Sequence, residues 1–139
     1  MILIDTGPLV ALTDPRDALH ARALADLDRI KRGEIFYTCL PALTEACFHL
    51  PGLAQRQRLR LWMSELSISP LDAGDEETLW DAVFQWMAKY AEHSPDFADA
   101  WLAVLCSADR RLSVWTYDSE FSTIWRRADG TPIPLALEA

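Results

Sequence analysis

The chain has 139 residues, 50% of them hydrophobic, which is enough for one compact domain with a single core. Its formal net charge of -8 argues against binding nucleic acid by bulk electrostatic attraction, because that mode needs lysine and arginine to neutralise phosphates. Any nucleic-acid chemistry must therefore rely on bound cations. No apolar run approaches the roughly 20 residues that span a bilayer, and the first run meets Asp5 too early for a signal peptide, so we expect a cytoplasmic protein.

The first part of the chain predicts a strand, a helix and a second strand. Residues 1–4 are a continuous apolar run that stops at Asp5-Thr6-Gly7-Pro8, which is typical of a buried strand followed by a turn. Apolar residues then recur at helical spacing from Leu19 to Ile30, and the basic and glycine residues at 31–33 end this helix. Residues 34–39 predict the second strand.

The rest of the chain continues this alternation of helices and strands. The predicted elements are helices at 41–50 and 53–66, a short extended segment at 67–71, helices at 75–91 and 95–108, a strand at 112–117 and a candidate edge strand at 133–137. We therefore expect residues 1–139 to form one three-layer α/β/α domain with a mostly parallel central sheet and right-handed crossovers.

Cysteine and histidine patterns do not indicate a metal site or a disulfide framework. The three cysteines are an odd number without a C-x-x-C pair, and the three histidines never approach H-x-x-x-H spacing. We predict buried free thiols and structural or solvated histidines.

Four acidic residues are predicted to meet at one edge of the sheet. In a parallel sheet, ligands bind beyond the carboxyl ends of the strands, where the following helices also begin. Asp5 and Asp118 each end a predicted strand. Glu45 and Asp99 lie near the starts of helices that must begin at the same edge. These four carboxylates are therefore expected to converge.

Clustered carboxylates repel one another, so unless some are protonated they need a neutralising cation. Oxygen ligands without cysteine or histidine suit Mg²⁺ or Mn²⁺, which also bind phosphate oxygens. The cluster therefore predicts hydrolysis of phosphodiester bonds with one or two metal ions.

Each acid also has an ordinary structural explanation. Asp5 could cap a turn, Asp118 could cap a short helix, and Glu45 could be an exposed helix residue. Asp99 is flanked by apolar residues on nearly every side, which favours a functional role. Asp96 lies in the first turn of the same helix, where it could complement the helix dipole or act as an accessory ligand.

Four short motifs follow one another in a characteristic order. They are Ile2-Leu3-Ile4-Asp5-Thr6, Pro41-x-x-x-Glu45-Ala46, Asp96-Phe97-Ala98-Asp99-Ala100 and Thr116-Tyr117-Asp118-x-x-Phe121. Together they resemble the PIN-domain family over nearly the whole chain, and specifically the VapC toxins of bacterial toxin–antitoxin pairs. The resemblance implies an endoribonuclease that depends on Mg²⁺ or Mn²⁺, with Asp5, Glu45, Asp99 and Asp118 as catalytic and metal-ligating residues.

The same resemblance implies RNA and protein partners, and the chain departs from the family pattern at one position. A VapC-like toxin is a homodimer, cuts RNA, and is inhibited by a small VapB-like antitoxin whose C-terminal segment lies over the active site. Gly7 stands where many relatives have serine, so a polar group is lost there. Thr6 and Thr116 remain as candidate hydroxyl donors.

Other functions fit the sequence less well. A phosphatase of the haloacid dehalogenase type needs a second aspartate two residues after the first, where this chain has Gly7. A receiver-like signalling domain needs a lysine late in the chain, whereas the last one is Lys89. The remaining alternative is a non-catalytic PIN scaffold that serves as a binding module, and the presence of all four acids argues against it.

Basic and aromatic side chains are further candidates for RNA contacts. Arg56 and Arg60 share a helix face that could guide an RNA backbone or be merely solvated. Arg126 and Arg127 could contact phosphate or cover the sheet edge. The six tryptophans are predicted mainly to fill the core or a dimer contact, with base stacking as the alternative.

Overall fold

A computed structural model describes residues 1–137, in which a four-stranded parallel sheet lies between two layers of helices. The strands are β1 (Ile2–Ile4), β2 (Phe36–Thr38), β3 (Ser69–Pro70) and β4 (Ser113–Trp115), in the spatial order β3-β2-β1-β4. Each observed strand lies inside a strand or extended segment predicted from the sequence. The predicted three-layer architecture with a parallel sheet is confirmed.

The central strand β1 is apolar throughout because both of its faces are covered. Ile2 and Ile4 pack into one helix layer, and Leu3 packs into the other. Val114 and Trp115 of β4 divide between the two layers in the same way. This alternation explains why the strands appear in the sequence as continuous hydrophobic runs.

Helices cover both faces of the sheet. They are α1 (Thr6–Thr13), α2 (His20–Arg29), α3 (Leu40–His49), α4 (Leu53–Glu65), α5 (Glu76–Lys89), α6 (Phe97–Ala108) and α7 (Glu120–Thr123), with a short 3-10 turn at Ala91–His93. Helix α1 packs against α2, α3 and α4 on one face, while α5 and α6 pack together on the other. Among residues 1–137, no helix is long and apolar enough to cross a bilayer.

The predicted turn after β1 is wrong, because the helix α1 begins directly at Thr6. Asp5 caps this helix, with Oδ1 accepting a hydrogen bond from the Thr6 amide. Pro8 is tolerated because it lies in the first turn, where amides have no intrahelical acceptor. Two helices, rather than one, therefore connect β1 to β2.

The candidate edge strand at 133–137 is reduced to a single parallel bridge between Leu135 and Val114. The Val114 amide donates to the Pro134 carbonyl at 2.9 Å, and the Ala136 amide donates to the Val114 carbonyl at 2.9 Å. Because Pro134 has no amide hydrogen, the ladder cannot extend toward residue 133. The segment nevertheless covers the outer edge of β4.

All three cysteines are free, as predicted, but only Cys39 and Cys106 are buried and Cys47 is partly exposed. Burial raises the pKa of the Cys39 and Cys106 thiols to about 12. Four of the six tryptophans are buried in the core, as expected: Trp86, Trp101, Trp115 and Trp125.

Candidate active site

Asp5 occupies the carboxyl end of β1 and is only 7% exposed. Its Oδ1 accepts a hydrogen bond from the Thr6 amide at 2.7 Å, and its Oδ2 accepts one from the Thr116 hydroxyl at 2.7 Å. Burial raises the pKa of Asp5 to about 6, against the effect of these two hydrogen bonds, and the charges of Asp96 and Asp118 add to the rise. The Asp5 carboxyl is therefore held in one orientation and faces other negative charges.

Asp99 reaches the same edge from the first turn of α6. The Asp99 amide donates to Asp96 Oδ1 at 2.7 Å, and the Asp96 amide donates to Asp99 Oδ2 at 3.2 Å, a reciprocal capping arrangement. Burial raises the pKa of Asp99 to about 8, and the negative charge of Asp96 contributes next. The hydrogen bond with the Asp96 backbone opposes this rise, and the charges of Asp5 and Asp118 add smaller increases. Asp96 was expected in the first turn of α6, and the structure places it one residue earlier, as the N-cap.

Asp118 follows β4 and is half-buried. Its Oδ1 accepts from the Glu120 amide at 2.9 Å, which shapes the turn that leads into α7. Its own amide donates to the Thr116 hydroxyl oxygen at 3.0 Å, and that hydroxyl in turn donates to Asp5. Asp118 therefore shapes the turn before α7 and is not the expected helix cap, because the N-cap is Ser119. Asp118 also contributes negative charge beside Asp5.

Glu45 lies on α3 and is connected to the other acids through Thr6. The Thr6 hydroxyl is 3.0 Å from Glu45 Oε2 and 3.2 Å from the Ala42 carbonyl oxygen, so the two acceptors share one hydrogen. The charges of Asp5 and Glu45 both raise the pKa of the Cys39 thiol, which shows that both acids lie near this residue. The hydroxyl donors expected at Thr6 and Thr116 thus each hold one of the acids.

The acids share an edge, but they do not form a ready-made ligand cluster. Within residues 1–137, no three acidic, histidine or cysteine side chains lie close enough together to hold one ion. The charges of Asp96 and Asp118 raise the pKa of both Asp5 and Asp99. Glu45 is joined to Asp5 through Thr6, whose hydroxyl donates to Glu45 and whose amide donates to Asp5. The carboxylate and hydroxyl oxygens gathered here are the donors that Mg²⁺ and Mn²⁺ prefer, so the residue types fit such an ion.

An apolar groove of about 590 Å³ adjoins Glu45. Its walls include Leu40 of α3, Phe84 of α5 and Phe97 of α6, and the first two are 66% and 63% exposed. Sequence reasoning missed this groove, because it is formed between helices that are distant along the chain. Large apolar side chains left in solvent are a common mark of a protein-binding surface.

Two of the four arginines suggested as RNA contacts, Arg56 and Arg127, have structural roles. Arg56 donates to the carbonyls of Leu50 and Cys47 at 2.9 and 3.0 Å, at the end of α3 away from the acidic edge. Arg127 is 6% exposed, and its Nε donates to the Cys106 carbonyl at 2.9 Å. A buried arginine with backbone acceptors stabilises the fold and leaves no surface for phosphate.

A buried carboxylate next to the site was also missed by sequence reasoning. Asp26 of α2 is 5% exposed and accepts a hydrogen bond from the Tyr117 hydroxyl at 2.9 Å. The available signal was its spacing, because Asp26 follows Ala23 by three residues and so lies on the apolar face of α2.

Comparison with known proteins agrees with the fold. The PIN domain family model matches residues 2–125, a range that includes the four acids. Among solved structures, VapC20 of Mycobacterium tuberculosis, a sarcin-ricin loop cleaving toxin, is similar with a TM-score of 0.68 and 19% identity, over 88% of this chain and 94% of that one. No curated protein sequence is significantly similar. The chain belongs to the PIN domain family and has a VapC-like fold.

Proposed function

We propose that this protein is a metal-dependent endoribonuclease that hydrolyses RNA phosphodiester bonds, and that it is the toxin of a type II toxin–antitoxin pair. The observation that carries the proposal is the convergence of Asp5, Asp99 and Asp118 at one sheet edge of a PIN fold, with Glu45 joined to them through Thr6. RNA as the substrate is supported by the likeness in fold to VapC20, a toxin that cleaves the sarcin-ricin loop.

The proposed metal ligands are Asp5, Glu45, Asp99 and Asp118, and the ion is Mg²⁺ or Mn²⁺. When bound, such an ion supplies Lewis acidity for attack on phosphorus and for departure of the leaving oxygen. The raised pKa values of Asp5 and Asp99 support this assignment, because buried like charges favour protonation until a cation compensates them.

The chain's own residues fix the positions of these carboxylates. Hydrogen bonds from Thr6 and Thr116 hold both oxygens of Asp5, so this carboxylate is oriented before substrate arrives. The reciprocal cap between Asp96 and Asp99 holds one Asp99 oxygen against the backbone. Rigid support of this kind lowers the reorganisation that the reaction requires.

We further propose that the protein is a homodimer in the cytoplasm and that a VapB-like antitoxin binds it. The apolar groove beside Glu45 supports a protein partner, because Leu40, Phe84 and Phe97 leave much of their surface in solvent. A segment bound there would lie next to the acidic edge and would obstruct RNA.

Cleavage of labelled structured RNAs tests the activity directly. We expect cleavage with Mg²⁺ or Mn²⁺, none with a chelator, and a loss of at least about 100-fold in the Asp99→Asn variant, since this change removes a charged metal ligand. The Asp109→Asn variant is the matched control, because Asp109 pairs with Arg111 near the amino end of β4.

Two results would contradict the metal mechanism: cleavage that persists in chelator, or cleavage that persists in Asp99→Asn. Absence of cleavage with every RNA and ion would favour the alternative, a PIN scaffold that serves as a binding module.

A further inference from the structure

A second pocket, of about 250 Å³, lies beside the acidic edge and contains basic side chains that the proposed mechanism does not use. Thr116 and Asp118 belong to its wall, so the pocket is continuous with the acidic site. Arg22 and Arg29 of α2 line the other side. Its volume is below the roughly 300 Å³ at which pockets for drug-sized ligands begin, which suits a fragment such as one nucleotide.

Buried Asp26 holds the two arginines in place. Its Oδ2 lies 3.6 Å from Arg22 Nε and 2.9 Å from the Tyr117 hydroxyl that donates to it, and its Oδ1 lies 3.4 Å from Arg29 Nη1. A carboxylate buried to 5% exposure needs such partners, because an unpaired buried charge is strongly destabilising. Asp26 is therefore a positioning residue for Arg22 and Arg29.

Both guanidinium groups keep donors available for a ligand. The side chains of Arg22 and Arg29 are 58% and 60% exposed, and Arg22 also lies over the Tyr117 ring at 4.6 Å from its centroid. A guanidinium has five N–H donors, and the contacts with Asp26 use only some of them, so both groups can still donate to a phosphate.

We propose that this pocket binds a nucleotide adjacent to the scissile bond of the RNA, with Arg22 and Arg29 contacting its phosphate. The inference rests on the ribonuclease function proposed above. An RNA strand that crosses the acidic edge passes the pocket, because Thr116 and Asp118 border both. Phosphate contacts of this kind set the position of the strand and do not read its sequence.

Binding of a labelled single-stranded RNA oligonucleotide, measured by fluorescence anisotropy in Mg²⁺ over a range of salt concentrations, tests the pocket. The Asp99→Asn protein serves as the background, so that no cleavage interferes. We expect Arg22→Gln and Arg29→Gln each to weaken binding by about threefold to tenfold and to reduce the salt slope by about one. Arg111→Gln is the matched control, since Arg111 is 77% exposed and paired with an aspartate far from the pocket.

Further readouts separate a positioning role from damage to the fold. Arg22→Lys keeps the charge and should restore part of the affinity, and thermal unfolding shows whether each variant is folded. In the active protein, both glutamine variants should raise KM for RNA and change kcat by less than about twofold. This is the result expected when a contact contributes equally to binding of the substrate and of the transition state. Affinity and KM equal to those of Arg111→Gln would overturn the proposal, and so would inorganic phosphate binding as tightly as the oligonucleotide.

The outcomes also separate this inference from the ribonuclease proposal. If no RNA is cleaved but Arg22→Gln still weakens RNA binding and lowers the salt slope, the pocket stands and the enzymatic function fails. If RNA is cleaved with an unchanged KM in both variants, the function stands and the pocket fails.

Discussion

Two aspartates at the acidic edge, Asp5 fully buried and Asp99 half-buried, have pKa values well above the ordinary one. The pKa of Asp99 is raised to about 8 and that of Asp5 to about 6, in both cases chiefly by burial. A carboxyl whose pKa is higher in the folded state binds its proton more tightly there, so this contribution to stability is present below about pH 4 and is lost as the pH rises through 6 to 8.

Replacing Asp99 with its neutral isostere should therefore stabilise the fold at high pH. We expect Asp99→Asn to increase the free energy of unfolding at pH 8.5 in chelator by about 1–2 kcal/mol, a value reduced for solvent screening of this half-buried group, with little change near pH 4. Denaturant unfolding at the two pH values measures this. Asp109→Asn is the control with the opposite sign, because the ion pair with Arg111 holds the pKa of Asp109 down to about 2. Destabilisation of Asp99→Asn at pH 8.5 would contradict the account.

Thr116 is the hydroxyl on which the orientation of Asp5 depends most. It donates to Asp5 Oδ2 and accepts from the Asp118 amide, so Thr116→Val removes two hydrogen bonds at once. We expect RNA cleavage to fall by about 10- to 100-fold, as for other residues that support metal ligands, and stability to fall by about 1–2 kcal/mol. Thr44→Val is the matched control, since the Thr44 hydroxyl bonds only within α3. Unchanged cleavage in Thr116→Val would show that Asp5 needs no such support.

At the scale of elements, the first turn of α6 combines a cap with a functional side chain. Asp96 caps α6, and Asp75 caps α5 in the same manner by accepting from the Thr78 amide at 2.9 Å. We expect Asp96→Ala to lower the free energy of unfolding by about 1 kcal/mol, and Asp75→Ala to lower it as well. Only Asp96→Ala should also reduce cleavage, because it releases Asp99. Equal cleavage in the two variants would limit Asp96 to a helix cap.

Most elements could be predicted from periodicity, whereas α1 could not. Its residues Leu9, Ala11 and Leu12 are buried together, so the helix lacks the polar stripe that marks an amphipathic segment. Pro8 and Gly7 added a signal for a turn, although proline is compatible with a first helical turn. For the last segment the error was the opposite, because a strand was predicted at 133–137 where only one bridge forms, and Pro134 blocks the ladder on its amino-terminal side.

At the scale of the whole molecule, topology made the acidic edge predictable. Parallel strands place their carboxyl ends together, so Asp5 and Asp118 follow from strand ends, and Glu45 and Asp99 follow from helix starts. The pocket between α2 and β4 could not be predicted in the same way. It depends on how one helix face packs beside Tyr117, and no sequence spacing specifies that contact.

The central claim is that these carboxylates hold the divalent ion, and anomalous scattering from Mn²⁺-soaked crystals tests it most directly. The account predicts a peak within ligand distance, about 2.0–2.6 Å, of carboxylate oxygens of Asp5 and Asp99 beyond the carboxyl ends of β1 and β4, and no such peak in Asp99→Asn crystals. A peak only at other surface carboxylates, or an unchanged peak in Asp99→Asn, would contradict it.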